Sequence, residues 1–192
     1  MSNKTADNFL LNTKYSFIHG SNYYIPEDST RLGTSILSKY RIDSALIEQS
    51  NVRAFYNTGM SKSATYAWFP LNNDSTLLVV SIHAINIANN NTFEKHISQV
   101  YETIKTHQGP ILFAGDFNTW NKTRYKRLKS LFTPLGIHIT ESNKFVGGKR
   151  LQWGKHPLDQ VLTRGITIID TIFVGELNSP ADHAPLTFKF VL

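Results

Sequence analysis

The 192-residue chain contains no cysteine. That absence excludes disulfides, zinc–thiolate centres and thiol nucleophiles, and it leaves a reducing cytosol permitted but not required. Acidic residues are scarce: fourteen stand against twenty lysines and arginines, and none occurs between Asp116 and Glu141. The resulting formal charge of +6 is compatible with a polyanionic substrate. Long apolar runs are missing as well. The most strongly apolar stretch, Leu77-Leu78-Val79-Val80-Ser81-Ile82, has the length of a strand and is far too short to span a bilayer. The opening residues, Met1 to Asn8, are polar, which argues against a signal peptide and predicts a soluble, cytoplasmic chain. No fixed-period repeat, low-complexity linker, Gly-rich phosphate loop, His-Glu-x-x-His helix or Gly-x-Ser-x-Gly elbow is present.

What is present is a core. With 41% hydrophobic and 12% aromatic residues the chain is globular, and its length allows one large domain or two small ones. Strand-like patterns recur at Thr34–Leu37, Ala64–Leu71, Leu77–Ile85, Ile111–Phe117, His138–Thr140, Leu158–Thr163, Thr167–Val174 and Ala184–Val191. Between them, Thr92 to Gln108 reads as a helix capped by Asn91, with Phe93, Ile97, Val100, Tyr101 and Ile104 as its apolar stripe and Gly109-Pro110 as its stop. A second helix starts near Asn121 and packs Tyr125, Leu128, Leu131, Phe132 and Leu135; a short third one is expected over Ala6 to Leu11. Apolar strands alternating with amphipathic helices predict sheets packed together with helices outside, an α/β or α+β sandwich.

Polar residues stand at the ends of four of these strand patterns. Gly115-Asp116-Phe117-Asn118 closes the run Ile111-Leu112-Phe113-Ala114, and period-2 alternation puts Asp116 and Asn118 on one side of the chain. A carboxylate beside an amide suits positioning a water, a metal or a phosphate; Asp-x-Asn also suits an ordinary turn. His83 lies in Ser81-Ile82-His83-Ala84-Ile85-Asn86, where the alternative is a hydrogen-bonded core histidine. Asp159 opens Asp159-Gln160-Val161-Leu162, where the alternative is a turn cap after Pro157. Asp182-His183 precedes the final strand, where the alternative is a plain loop. Converging on one rim, the set fits metal-assisted attack on phosphate. Mg²⁺ keeps several waters and takes only one or two carboxylates. A carboxylate orients the attacking water, and imidazoles stabilise charge on the phosphoryl oxygens.

The helix after Asn118 carries Lys122, Arg124, Lys126, Arg127 and Lys129. It reads either as a solvated face or as a phosphate-tracking surface. Trp120 and Trp153 read as packing residues or as base-stacking platforms. Lys149, Arg150 and Lys155, in the loop before Asp159, are the better substrate-binding candidates.

In this order, GDFN after an apolar strand, the histidine of SIHAIN, PLDQVL and the terminal ADHAPLTF resemble the endonuclease/exonuclease/phosphatase superfamily, and more narrowly its bacterial YafD-like branch. The resemblance is strong from about Leu77 to the C-terminus. It implies a single deoxyribonuclease I-like domain over 1–192, a four-layer αββα sandwich, acting as a phosphodiester hydrolase with Mg²⁺ or Mn²⁺. It further implies that Asp116 orients the nucleophilic water and touches the metal, that Asn118 holds that water or a phosphate oxygen, and that Asp182 is a metal ligand. His183, oriented by Asp159, would stabilise the pentacovalent phosphate, His83 would contact the scissile phosphate, and Asn86 would bind phosphate more weakly. The substrate is a phosphoester, with nucleic acid among the candidates.

Two departures from the family pattern qualify this. Ala181 stands where the family usually has serine, losing one hydroxyl and no ligand. The family's first strands, one with an asparagine and one ending in a Gln-Glu metal ligand, have no counterpart; neither Glu27, in a turn, nor Glu48, in a polar stretch, is expected to replace that glutamate. Lower stability and weaker metal binding than in a longer relative are therefore expected. A catalytically inactive fragment that binds a polyanion or partner, and a phosphatase or phospholipid phosphodiesterase, remain the alternatives.

Overall fold

The computed structural model describes residues 15–27, 29–54, 60–72, 74–149, 151–153, 156–176 and 182–192, the side chains of 152 and 153 excepted. In chain order the elements are β1 (Ser16–Ile25), β2 (Thr30–Ser38), β3 (Ser44–Arg53), β4 (Ser61–Pro70), β5 (Thr76–His83), α1 (Asn90–Ile104), β6 (Ile111–Asp116) and α2 (Lys122–Phe132). They continue with β7 (His138–Ile139), β8 (Phe145–Gly147), β9 (Gln152–Trp153), β10 (His156–Pro157), β11 (Asp159–Arg164), β12 (Thr167–Val174) and β13 (Leu186–Val191).

A six-stranded sheet in the order β3–β4–β5–β6–β11–β7 forms the centre. Its β5 and β6 are parallel and joined through α1, as a parallel pair requires a crossover. Every other neighbouring pair in it is antiparallel. One face packs α1 and α2: Phe93, Ile97, Val100, Ile104, Leu128 and Phe132 bury against Leu78, Val80, Ile82 and Phe113. The other face buries Ala67, Phe69 and Leu77 beneath Ile36 of β2, with Ile18 of β1 and Phe190 of β13 packed against them. The β1–β2 hairpin and the β13–β12–β8 sheet thus lie on the side of the central sheet opposite the helices.

The expected strands are present, and α1 buries Phe93, Ile97, Val100 and Ile104 of its expected stripe, with Tyr101 half-buried beside them. Three differences have physical reasons. Asn89, not Asn91, caps α1, its side chain accepting the Thr92 N–H at 2.8 Å. β3 is an additional strand whose polar sequence, Glu48-Gln49-Ser50-Asn51, belongs to a sheet edge with most residues in water. β1 is likewise additional; Gly20 and a bulge between Ser21 and Tyr23 break the alternation that would have marked it. The helix expected over Ala6 to Leu11 lies outside the described residues.

Candidate active site

Three strand ends meet at Asp116. In the parallel β5–β6 pair His83 is opposite Asp116, and in the antiparallel β11–β6 pair Asp159 is opposite the same residue. Gly115 makes the approach possible. Its φ is 144°, and a Cβ there would stand 2.1 Å from the Ile82 carbonyl oxygen. Immediately after the strand, Asn118 adopts φ 50°, a left-handed conformation that asparagine tolerates better than most residues. Its backbone N–H donates to Asp116 Oδ1 at 2.8 Å, and its Nδ2 donates to Asp116 Oδ2 at 3.0 Å and to the Ala84 carbonyl at 2.9 Å. These two acceptors fix which way the amide points. GDFN is therefore both a turn and part of the site. Asn118 reaches Asp116 from a left-handed residue just past the end of β6, not from within the strand.

The imidazoles complete the cluster. His83 Nε2 is 3.4 Å from Asp116 Oδ2, and His183 Nε2 is 4.0 Å from that same oxygen. His183 Nδ1 donates to Asp159, 2.8 Å from Oδ2 and 3.0 Å from Oδ1, because an ionised carboxylate is acceptor-only. That bond turns Nε2 toward Asp116. Asp159 is thus the hydrogen-bond partner of the His183 ring on the side away from Asp116.

The two rings are tuned in opposite directions. Burial lowers the pKa of His83, with the nearby Lys62 charge adding to the effect against the pull of Asp116. At His183 burial also acts downward, but the hydrogen bond and charge of Asp159, with Asp116 and Asp182, outweigh it and raise the pKa. Burial raises Asp116 above the usual carboxylate range despite the opposing influence of His83 and the Asn118 N–H. The His83 ring thus gives up its proton more readily than a free imidazole and the His183 ring holds its proton more tightly, beside a carboxyl group with raised basicity.

The other candidates fall as follows. Asp182 is exposed, and its charge acts on both imidazoles. Asn86 lies just beyond β5, its carbonyl accepting from Arg124 Nη2 at 2.9 Å. Lys149 is exposed beyond β8, next to Gly148, whose N–H donates to Val174; Gly175 in turn bonds Pro185, two residues from His183. Arg150, Lys155 and the Trp153 side chain lie outside the described residues. Glu27 is exposed in the β1–β2 turn, while Glu48 accepts from Tyr66 and from Thr103 of α1, on the helix-covered side. Neither joins the cluster.

Of the basic residues read on α2 as a solvated or phosphate-tracking face, Arg124 is corrected. Lys122, Lys126 and Lys129 are exposed and Arg127 pairs with Glu94 at 2.8 Å, but Arg124 is fully buried. The helical spacing of Arg124, Leu128 and Phe132 was the available signal, since it places all three on one stripe. Trp120 packs against the Arg124 guanidinium, 4.7 Å from its ring centroid. Lys62 was also missed. It reaches the site because β4 lies beside β5 with Ala64 opposite Ile82, a pairing no local pattern reveals.

The oxygen atoms near this point that a divalent ion could use are those of the Asp116 carboxylate, Asp182 and Asn118 Oδ1, a buried acceptor with no partner among the described residues. No cluster of three or more acid or imidazole groups able to hold an ion is found among the described residues. An all-oxygen set with few carboxylates suits a hard cation that keeps most of its water.

Comparison with known proteins bears on this arrangement. The model of the Endonuclease/Exonuclease/phosphatase family matches residues 2–183. A UPF0294 protein of Yersinia enterocolitica is 33% identical over 132 residues, 68% of this chain, so the chain spans about half (49%) of that relative's length. A humanized D. rerio TDP2 has a TM-score of 0.70 at 16% identity, covering 100% of this chain and 83% of that one; another D. rerio TDP2 structure holds a single-strand DNA product. A mannosyl-6-phosphatase of Bacteroides thetaiotaomicron has a TM-score of 0.64 at 13% identity, covering 97% and 80%. At such identities the structural likenesses show the fold alone, a deoxyribonuclease I-like sandwich.

Proposed function

The chain belongs to the endonuclease/exonuclease/phosphatase family, and from that membership we propose that it is a divalent-metal-dependent phosphodiester hydrolase working by in-line attack of water. One observation carries the reading: Asp116 Oδ2 lies 3.4 Å from His83 and 4.0 Å from a His183 that Asp159 holds in place. Asp116 takes the proton of the attacking water, a role its raised pKa favours. Asn118 fixes the Asp116 carboxylate through two donors and offers Oδ1 to the water or to a phosphate-bound group. His183, which holds its proton more tightly than a free imidazole, donates Nε2–H to the phosphoryl oxygen that gathers charge, while His83 binds a second oxygen. Asp116, Asn118 and Asp182 would hold Mg²⁺ or Mn²⁺, which when bound neutralises phosphate charge.

Lys149, Arg150 and Lys155 are proposed to contact the substrate, with Asn86 in a minor role, and a cytoplasmic setting is consistent with the cysteine-free composition. Nucleic acid is the favoured phosphoester because exposed Lys122, Lys126 and Lys129 line one helix beyond Asn118. A plasmid-nicking assay with Mg²⁺ tests the reading. Asp116→Asn and His183→Gln are each expected to lower the rate about 100-fold or more, and nicking that is indifferent to both substitutions overturns the mechanism.

A further inference from the structure

Arg124 is 0% exposed, the largest side chain buried to this degree, although its neighbours on α2 are solvated lysines. Its partners are carbonyl oxygens. Nη1 donates to Ile85 at 3.0 Å and to Asn118 at 3.1 Å; Nη2 donates to Asn86 at 2.9 Å and to Ala88 at 2.7 Å. Its Cζ lies 4.7 Å from the ring centroids of both Phe93 and Trp120, and its Nε is buried without a partner among the described residues.

Burying a guanidinium against neutral acceptors is costly, and burial lowers its pKa to about 10. A leucine or methionine would continue the Leu128–Phe132 stripe without that cost. What an apolar residue cannot do is span four carbonyls with a rigid planar fork of donors, and lysine, with a single nitrogen, cannot do so either. The acceptors belong to two different segments. Ile85, Asn86 and Ala88 follow His83 at the end of β5, and Asn118 closes the left-handed turn after Asp116 at the end of β6. Arg124 adds a four-carbonyl fork to the two bonds at Ala84 that already join these segments, its N–H to the Asp116 carbonyl at 2.7 Å and its carbonyl to Asn118 Nδ2 at 2.9 Å.

We propose that Arg124 is a positioning residue of the hydrolytic site, locking the segment after His83 to the Asp116–Asn118 turn so that the imidazole, carboxylate and amide keep their mutual distances. The inference rests on the hydrolase reading above, and it makes its own structural claim. Loss of the fork leaves the bonds at Ala84 in place but loosens the residues around them, so a mispositioned site slows the chemical step while substrate binding, set by other groups, persists.

The test compares Arg124→Met, Arg124→Lys and Leu128→Ala with the unaltered chain. Leu128 is buried on the same stripe and touches none of the reacting groups, so it reports plain loss of packing. With bis(p-nitrophenyl) phosphate and Mg²⁺, Arg124→Met is expected to lower kcat by about tenfold or more with KM within about twofold. Arg124→Lys should fall between it and the unaltered chain, and Leu128→Ala should lower Tm but leave kcat within about twofold. In metal-free protein, amide hydrogen exchange of Ala84 and Asn118 should accelerate at least about tenfold in Arg124→Met while Val80 and Phe113 keep their protection. Should Arg124→Met not fold, Arg124→Lys carries both readouts. Unchanged kcat and unchanged exchange overturn the proposal, as does exchange that rises equally across the sheet. If the unaltered chain cleaves no phosphoester, the hydrolase reading fails, and the exchange pattern alone decides the role of Arg124.

Discussion

Asp159→Asn removes one of the charges that together outweigh burial at His183, and two consequences follow at the scale of single residues. The first concerns rate: Asp159 acts through the ring it orients, so its loss should cost less than His183→Gln, and the double substitution should cost little more than His183→Gln alone. Additive losses in nicking rate would show that Asp159 has a separate role. The second concerns stability. The folded pKa of His183 is raised above the ordinary 6.5, so the folded state holds this proton more tightly than the unfolded chain. Its contribution is complete below pH 6.5 and is lost as pH rises through the raised folded value. Tm of metal-free protein should therefore decline over that interval, and Asp159→Asn should flatten the decline. His83, lowered by burial, acts below pH 6.5 and leaves this window clear.

At the scale of elements, the β5–β6 pair and the turn that follows it decide the site. Gly115→Ala would set a Cβ 2.1 Å from the Ile82 carbonyl at a φ of 144°. Urea denaturation should show a loss of about 3 kcal/mol or more, because rigid backbone cannot yield to the new atom. Asn121→Ala, which removes the side chain that accepts the Arg124 N–H at 2.9 Å, should cost only about 1 kcal/mol. Similar losses from both would mean that β6 can shift away from β5. Much of this scale was legible beforehand. The apolar runs and the Phe93–Ile104 stripe gave β4, β5, β6, β11–β13 and α1 through simple periodicity. β1 and β3 were not legible, because a bulged hairpin and a polar edge strand carry no alternating signal.

For the whole molecule, the pairing of the outer strands bears on association. Among the described residues β1 and β2 pair only with each other, and β13 pairs on one side only. The outer surface of the β13–β12–β8 sheet exposes Val146 at 43%, Phe173 at 54% and Val191 at 50%. Apolar surface beside an unpaired edge favours association. Light scattering should show mass rising with concentration, and Phe173→Lys should suppress the rise; a constant monomer mass would show that the edge is protected. Among the described residues, no helix is long and apolar enough to cross a membrane. With Asp116 and exposed Asp182 as the carboxylates at the rim, calorimetric titration with Mg²⁺ or Mn²⁺ should reveal weak binding only. A tight one-to-one site would mean that further ligands take part.

The sequence by itself determined the apolar central strands, the two helices and the identity of the polar residues that end the apolar runs, because hydrophobic periodicity and turn chemistry are local. It also marked His83, Asp116, Asn118, Asp159 and His183 as a set through the order of their motifs. Only the tertiary structure decided that β5 and β11 flank β6 in a register bringing His83 and Asp159 beside Asp116. It alone decided that burial lowers one imidazole while Asp159 raises the other. The same holds for Arg124, whose helical spacing hinted at burial but whose four carbonyl partners come from segments separated from it along the chain. Strand register and desolvation depend on what packs against a residue, and that information is distributed over the whole chain.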